Sequence, residues 1–187
     1  MDKILLLNPP GDKLYQRDLY CSAVSKAFYY WPSIDLLIQS GILGERYDVH
    51  VLDAIAERLT PEDCTSRIRQ ADYKAILFLT GTASWRKDLD YISRFKAGPN
   101  PPLLIGNGDI LLFKAREFLE RHSFLDAVLL DYTTPDVLHF LEGNYASRGN
   151  NPSLAHSPTH HLPPLTGFLR KLFKPTDKRP YRGTKAL

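Results

Sequence analysis

The stretch Ala75-Ile76-Leu77-Phe78-Leu79-Thr80-Gly81-Thr82-Ala83-Ser84-Trp85 decides the fold. Its five consecutive apolar residues read as a strand buried on both faces, as happens when helices cover both sides of a parallel sheet. The strand opens into a loop of small hydroxyl and glycine residues. Beyond the loop Leu89, Ile92 and Phe95 recur at helical spacing. Strand, loop and helix in that order form the repeating unit of an alternating α/β protein.

The same unit recurs on either side. Lys3 to Leu7 reads as a first strand, stopped by Asn8-Pro9-Pro10-Gly11 because proline cannot donate to a ladder and locks its own φ. An irregular segment is expected from Asp12 to about Tyr30, followed from Pro32 by a helix with Ile34, Leu37, Ile38 and Ile42 on one face and Gly41 and Gly44 near its stop. Asp48 to Leu52 is the second strand, ending in Asp53. Thr60-Pro61-Glu62-Asp63 carries the marks of a helix start: a capping hydroxyl, a proline suited to the first turn, and two acids at the positive end of the dipole. Downstream, Leu103 to Ile105 is followed by Gly106-Asn107-Gly108-Asp109 and a helix through Phe118 and Leu119. Ala127 to Leu130 is followed by Asp131-Tyr132-Thr133-Thr134-Pro135 and a last helix to Leu141. Five strands alternating with five helices predict an α/β domain with a doubly wound, five-stranded parallel sheet in the flavodoxin-like (Rossmann-like) order 2-1-3-4-5. Ligands of such sheets bind beyond the carboxyl ends of the strands.

Composition divides the chain. The 187 residues are 43% hydrophobic and 24% charged, with a net charge of +3. Residues 1–143 carry 16 Lys and Arg against 20 Asp and Glu, whereas residues 144–187 carry 8 Lys and Arg against Asp177 alone. The domain is therefore expected to span 1–143. The remainder, 144–187, reads as a linker rich in proline, histidine and basic residues. Within it Leu165, Phe168, Leu169, Leu172 and Phe173 predict a short amphipathic helix near residues 165–174. Cys21 and Cys64 are too few for a disulfide scaffold, and neither a signal-peptide core nor a membrane span is visible. These features predict a cytoplasmic protein with free thiols.

Several chemistries can be tested by position. A dinucleotide site needs glycines directly after the first strand, where Asn8-Pro9-Pro10-Gly11 stands instead, and Gly106-Asn107-Gly108 has Leu111 where a third glycine would be. A magnesium-dependent phospho-acceptor needs carboxylates ending the first and third strands, but Asn8 and Thr80 occupy those places. No Gly-x-Ser-x-Gly elbow occurs, and Ser84 reads as a cap for the helix beginning at Trp85 rather than a nucleophile. His156, His160 and His161 lack a nearby carboxylate and read as a solvated loop in preference to a metal site. What remains is a rim of amide, hydroxyl and glycine groups after the strands, which suits a large neutral or amide-bearing ligand.

The order Lys3-Ile4-Leu5-Leu6-Leu7-Asn8-Pro9-Pro10, a long loop with Arg17, Tyr30-Trp31-Pro32 before a helix, and a strand ending Leu52-Asp53-Ala54 resembles the N-terminal cobalamin-binding domain of B12-dependent radical SAM enzymes. Leu79-Thr80-Gly81-Thr82-Ala83-Ser84 is similar to that family's threonine/serine loop after the third strand, and Ile105-Gly106-Asn107-Gly108-Asp109 to its glycine turn after the fourth. The likeness covers residues 3 to 143. It implies a cobalamin site built from Asn8, Pro9, Pro10, Thr80, Gly81, Thr82, Ser84, Gly106, Asn107, Gly108, Asp109, Asp131, Tyr132 and Thr133.

Asp131-Tyr132-Thr133-Thr134 replaces the family's Gly-Glu-Gly-Glu-like turn. The D-x-H-x-x-G signature of histidine-ligated cobalamin is absent, since Asp48-Val49-His50 lies within a strand and leads to Asp53 where its glycine would stand. The implied cobalamin therefore has no protein histidine on its lower face. Nor is there a C-x3-C-x2-C run, so an iron–sulfur cluster and SAM would belong to a downstream domain, and these residues are expected to bind, not turn over. The resemblance thus implies a radical SAM domain as partner, in cis or in trans. The other expectation is a cofactor-free module of the same fold that uses its basic extension for a partner. Nucleic acid is not an expected partner, because Tyr181 is the only aromatic residue near the distal basic run, and a membrane is not expected because no stretch approaches the length of a span.

Overall fold

Lys3–Asn8 forms β1, whose leucine-rich run has no polar side chain between Ile4 and Leu7 and is buried throughout. The structure, a computed structural model, describes residues 1–20, 22–26, 30–143 and the backbone of 154–156. Cys21, His160, His161, Tyr181 and the helix expected near 165–174 lie outside the described residues. After β1 come β2 (Tyr15–Arg17), β3 (Ser22–Val24), α1 (Ile34–Leu43), β4 (Asp48–Asp53), α2 (Pro61–Ile68) and β5 (Tyr73–Leu79). The chain continues through α3 (Trp85–Ser93), a single 3-10 turn at Arg94–Lys96, β6 (Leu103–Asn107), α4 (Asp109–Arg121), β7 (Ala127–Leu129), α5 (Asp136–Leu141) and β8 (Leu154–His156).

The main sheet runs β4-β1-β5-β6-β7-β8. Its first five members are parallel and stand in the expected doubly wound order. β8 is an addition: residues of the segment read as a linker pair antiparallel with β7, Val128 opposite Ala155. A three-residue edge strand leaves backbone groups open to such pairing, and no apolar periodicity announces it. β2 and β3 form a second, two-stranded antiparallel sheet within the stretch expected to be irregular. Three-residue strands are too short to show alternation.

Alternate sheet residues face opposite cores, because successive strand side chains point to opposite faces. Leu5, Leu7, Ile76, Phe78, Leu104 and Val128 pack with α2, α3 and α4 on one side. Ile4, Leu6, Leu77, Leu79, Ile105 and Leu129 pack with α1 and α5 on the other. Parallel strands bring all their carboxyl ends to one edge, so the loops after β1, β4, β5, β6 and β7 converge there. Thr60 caps α2 as expected, its hydroxyl accepting from the Asp63 amide at 3.1 Å, with Pro61 in the first turn. No helix among the described residues is long and apolar enough to cross a membrane.

Candidate functional site: the carboxyl edge of the sheet

Three polar clusters occupy the carboxyl edge. The first centres on Arg17, which the β2–β3 hairpin carries over the ends of β1 and β5. Its guanidinium donates from Nη2 to Asp88 Oδ1 at 2.7 Å, from Nε to Asp88 Oδ2 at 3.1 Å and Ser84 Oγ at 3.0 Å, and from Nη1 to Asn8 Oδ1 at 2.7 Å and the Pro9 carbonyl at 2.9 Å. Both side chains of the Arg17–Asp88 pair are 1% exposed. The hydroxyls of Thr80 and Ser84 also donate to Asp88, at 2.8 and 2.6 Å. Burial pushes the Asp88 carboxyl above its ordinary range, and the Arg17 charge and these donors oppose that shift. Asn8 donates to Asp53 at 2.9 Å and to the Tyr30 hydroxyl at 3.0 Å, and Tyr30 itself donates to Asp53. Ser84 stands at the N-cap of α3, yet its side chain makes no capping bond. The expectation of a capping role is thus corrected: Asp88, one turn on, and Arg17 claim the hydroxyl.

The second cluster lies on the α1 and α5 side. Asp35, in the first turn of α1, accepts from the Leu19 amide at 2.9 Å and from Asn107 Nδ2 at 3.0 Å. Gln39, one turn later, donates to the carbonyls of Tyr132 at 2.6 Å and Thr134 at 3.2 Å, tying α1 to the loop after β7. Burial, reinforced by the charge of Asp18, raises the Asp35 carboxyl to about 6 against the donated bonds. Three buried atoms here, Ser33 Oγ, Gln39 Oε1 and Asn107 Oδ1, have no hydrogen-bond partner among the described residues. The donated bonds fix both amide orientations, so the two amide oxygens are acceptors lacking a donor.

The third cluster closes the seam between the hairpin and the loops after β5 and β6. Asp109 accepts from the Ser22 hydroxyl at 2.8 Å, the Thr82 amide at 2.8 Å and the Thr82 hydroxyl at 3.1 Å. A Cβ at Gly81 would meet Ser22 Cβ at 2.3 Å, so glycine is what lets the hairpin lie this close. Gly108, at φ 152°, is tighter still, with the Thr80 carbonyl oxygen 1.8 Å from where a Cβ would stand.

Two expected features of this edge change. Gly106 and Asn107 belong to β6, opposite Phe78 and Leu79, and not to a turn. Parallel pairing extends the strand by two residues, which turns Gly106 toward the α4 core, where a Cβ would meet Leu111 at 2.6 Å, and turns Asn107 toward Asp35. The structure brings Asn8, Pro9, Thr80 and Ser84 together around Arg17, and Gly81, Thr82 and Asp109 around Ser22. Gly108 packs against Thr80, Pro10 lies buried just beyond the Pro9 carbonyl, and the Tyr132 carbonyl meets Gln39. Asp131 and Thr133 stand apart, the Thr133 amide and hydroxyl both donating to Asp131 at 2.9 and 2.7 Å. His50 lies within β4 against the Tyr73 hydroxyl at 3.0 Å and Asp48 at 3.3 Å. No three His, Cys, Asp or Glu side chains among the described residues could together hold a metal.

Composition could not single out Asp35, Gln39 and Asp88. Each sits on the buried face of its helix. Asp88 could have been found as a polar residue beside Leu89 and Ile92 on the apolar face of α3. The apolar face expected of α1 is corrected: Ile34 and Leu37 are each 56% exposed, and Asp35, Leu36, Gln39 and Leu43 face the core instead. Comparison of the chain with protein-family models, curated proteins and solved structures returns no match.

Proposed function

We propose that the domain binds cobalamin at the carboxyl edge of its sheet and serves as the cofactor-binding half beside a radical SAM catalytic domain, in cis or in trans. The observation that carries this reading is the group of partnerless buried atoms at Ser33, Gln39 and Asn107. Leaving buried acceptors without donors is costly, and an amide-bearing ligand supplies N–H donors of the kind they lack. The primary amides on the periphery of cobalamin are such donors. Asn107 and Gln39, both 0% exposed, would hold the ligand on the α1 and α5 side once the loops covering them part, and the rim from Thr80 to Ser84 would flank the corrin. When bound, the cofactor supplies methyl-transfer or redox chemistry, while this chain holds and orients it. A corrin lying over Gly81 needs the space that Ser22 fills, so entry requires the hairpin to shift there.

The Ser22, Thr82 and Asp109 bonds also favour a second reading, in which the domain is a cofactor-free module already closed by its own hairpin. One experiment separates the two. The full chain is incubated with hydroxocobalamin, desalted, and its visible spectrum recorded. Cobalamin binding predicts retained absorbance near one equivalent, with faster uptake by Ser22→Gly, which frees the space beside Gly81. No retention by either protein supports the closed module and overturns the cofactor reading.

A further inference from the structure

A separate cavity opens on the other side of the sheet. It has a volume of about 490 Å³ and lies between the loop after β1, the loop after β4, and α3. That size is in the range of small-ligand sites. Its walls are held from behind. The Tyr15 ring has the Arg17 guanidinium 5.0 Å from its centroid and the Cα of Gly11 close against its edge, where a Cβ would approach to 2.6 Å. The Tyr91 hydroxyl lies 3.1 Å from that of Thr65. Leu59, Pro10 and Pro61 complete the apolar part of the lining.

Three cations line the cavity, and two are already paired. Lys87 bonds Asp12 at 2.8 Å, and Arg94 bonds Asp90 at 3.2 Å. Arg58 has no ion-pair partner among the described residues, and it is their one non-glycine residue with positive φ, at 52°. The turn that holds it there is closed by the Arg58 amide to the Ile55 carbonyl at 3.2 Å and the Leu59 amide to the Ala54 carbonyl at 2.9 Å. Glycine or asparagine would take this conformation with less strain. Strained backbone that presents an unpaired charge at a cavity points from the geometry toward a ligand.

We infer that this cavity is a second ligand site, specific for a small monocarboxylate with an apolar body, whose carboxylate pairs with Arg58 and whose body packs against Tyr15, Leu59 and Tyr91. One unpaired guanidinium matches one carboxylate, in the forked geometry arginine favours. The inference does not rest on cobalamin binding, since Asn107 and Gln39 lie on the opposite face of the sheet, although Tyr15 belongs to the hairpin that corrin entry would shift.

The probe is benzoate, with benzamide as its neutral counterpart, titrated into the ¹⁵N-labelled full chain. Benzoate is expected to move the amide signals of Tyr15, Leu59 and Tyr91 saturably in the millimolar range, as befits so few atoms. Benzamide should bind at least about tenfold more weakly, the difference a charge-assisted bond makes. Arg58→Gly suits the positive φ, so the variant should keep or raise its thermal midpoint while losing about tenfold or more in benzoate affinity. Equal binding by Arg58→Gly, equal binding of benzamide, or no saturable shift would overturn the inference.

Discussion

Replacing Arg17 with methionine tests what holds the hairpin on the sheet. The change keeps much of the apolar stem and removes the guanidinium, leaving Asp88 buried with two hydroxyl donors and no countercharge. It also strips the donor from Asn8 Oδ1 and from the Pro9 carbonyl. Breaking a buried pair from one side costs about 3 to 5 kcal/mol, because the surviving charge has lost its compensation. That is a large share of the roughly 5 to 15 kcal/mol that stabilises an ordinary domain. Urea unfolding followed by tryptophan fluorescence should show the midpoint of Arg17→Met lowered by about 2 M, given slopes usual for this size. The double variant Arg17→Met/Asp88→Leu should lie closer to the wild type than Arg17→Met alone, since it buries no unpaired charge. A single-variant loss below about 1 kcal/mol, the value of an exposed pair, would refute the view that this ion pair secures the hairpin.

Three further outcomes are expected. Gly108→Ala places a Cβ 1.8 Å from the Thr80 carbonyl oxygen at φ 152°, so it should lose more than about 4 kcal/mol or fail to fold; a thermal midpoint within a few degrees of wild type would contradict that packing. Asp35 has its folded value raised to about 6 by burial, so the stability it contributes is present below its unfolded value and lost as pH rises through about 6. Between about pH 4 and pH 7 the stability of wild type relative to Asp35→Asn should fall by about 2 kcal/mol, and urea midpoints of the two proteins that run parallel across that interval would refute the control of the carboxyl by burial. Thr60→Ala should cost about 1 kcal/mol by removing the cap on the Asp63 amide, measured by the same unfolding assay.

The inner parallel strands β1, β5, β6 and β7 were legible because each is built on a short, nearly continuous apolar run, as burial on both faces requires, whereas the edge strand β4 showed itself by alternation of Val49, Val51 and polar neighbours. Ala75 to Leu79 needed no neighbour to be recognised. The α2 start at Thr60 was equally plain, since a cap is a local arrangement of side chain and backbone. The hairpin was not legible: pairs such as Gln16 with Ala23 and Arg17 with Ser22 join residues with no apolar alternation to advertise them. β8 was hidden for the same reason, being three residues laid on an edge.

The candidate site divides along the same line. The loops that could surround a ligand followed from the order of strands and helices alone, because parallel strands bring their carboxyl ends to one edge. Which of those residues face a ligand, and which are spent holding the chain to itself, depends on register and on partners far away in sequence. Two residues of extra pairing in β6 turned Gly106 into the core and Asn107 toward Asp35, and only the packed hairpin joined Arg17 to Asp88 across 71 positions. Local sequence therefore determined the alternation of strands and helices, since propensity and patterning act over a few residues. Tertiary structure alone decided the charges and amides of the edge, because a buried polar group is defined by the distant partner that satisfies it or fails to.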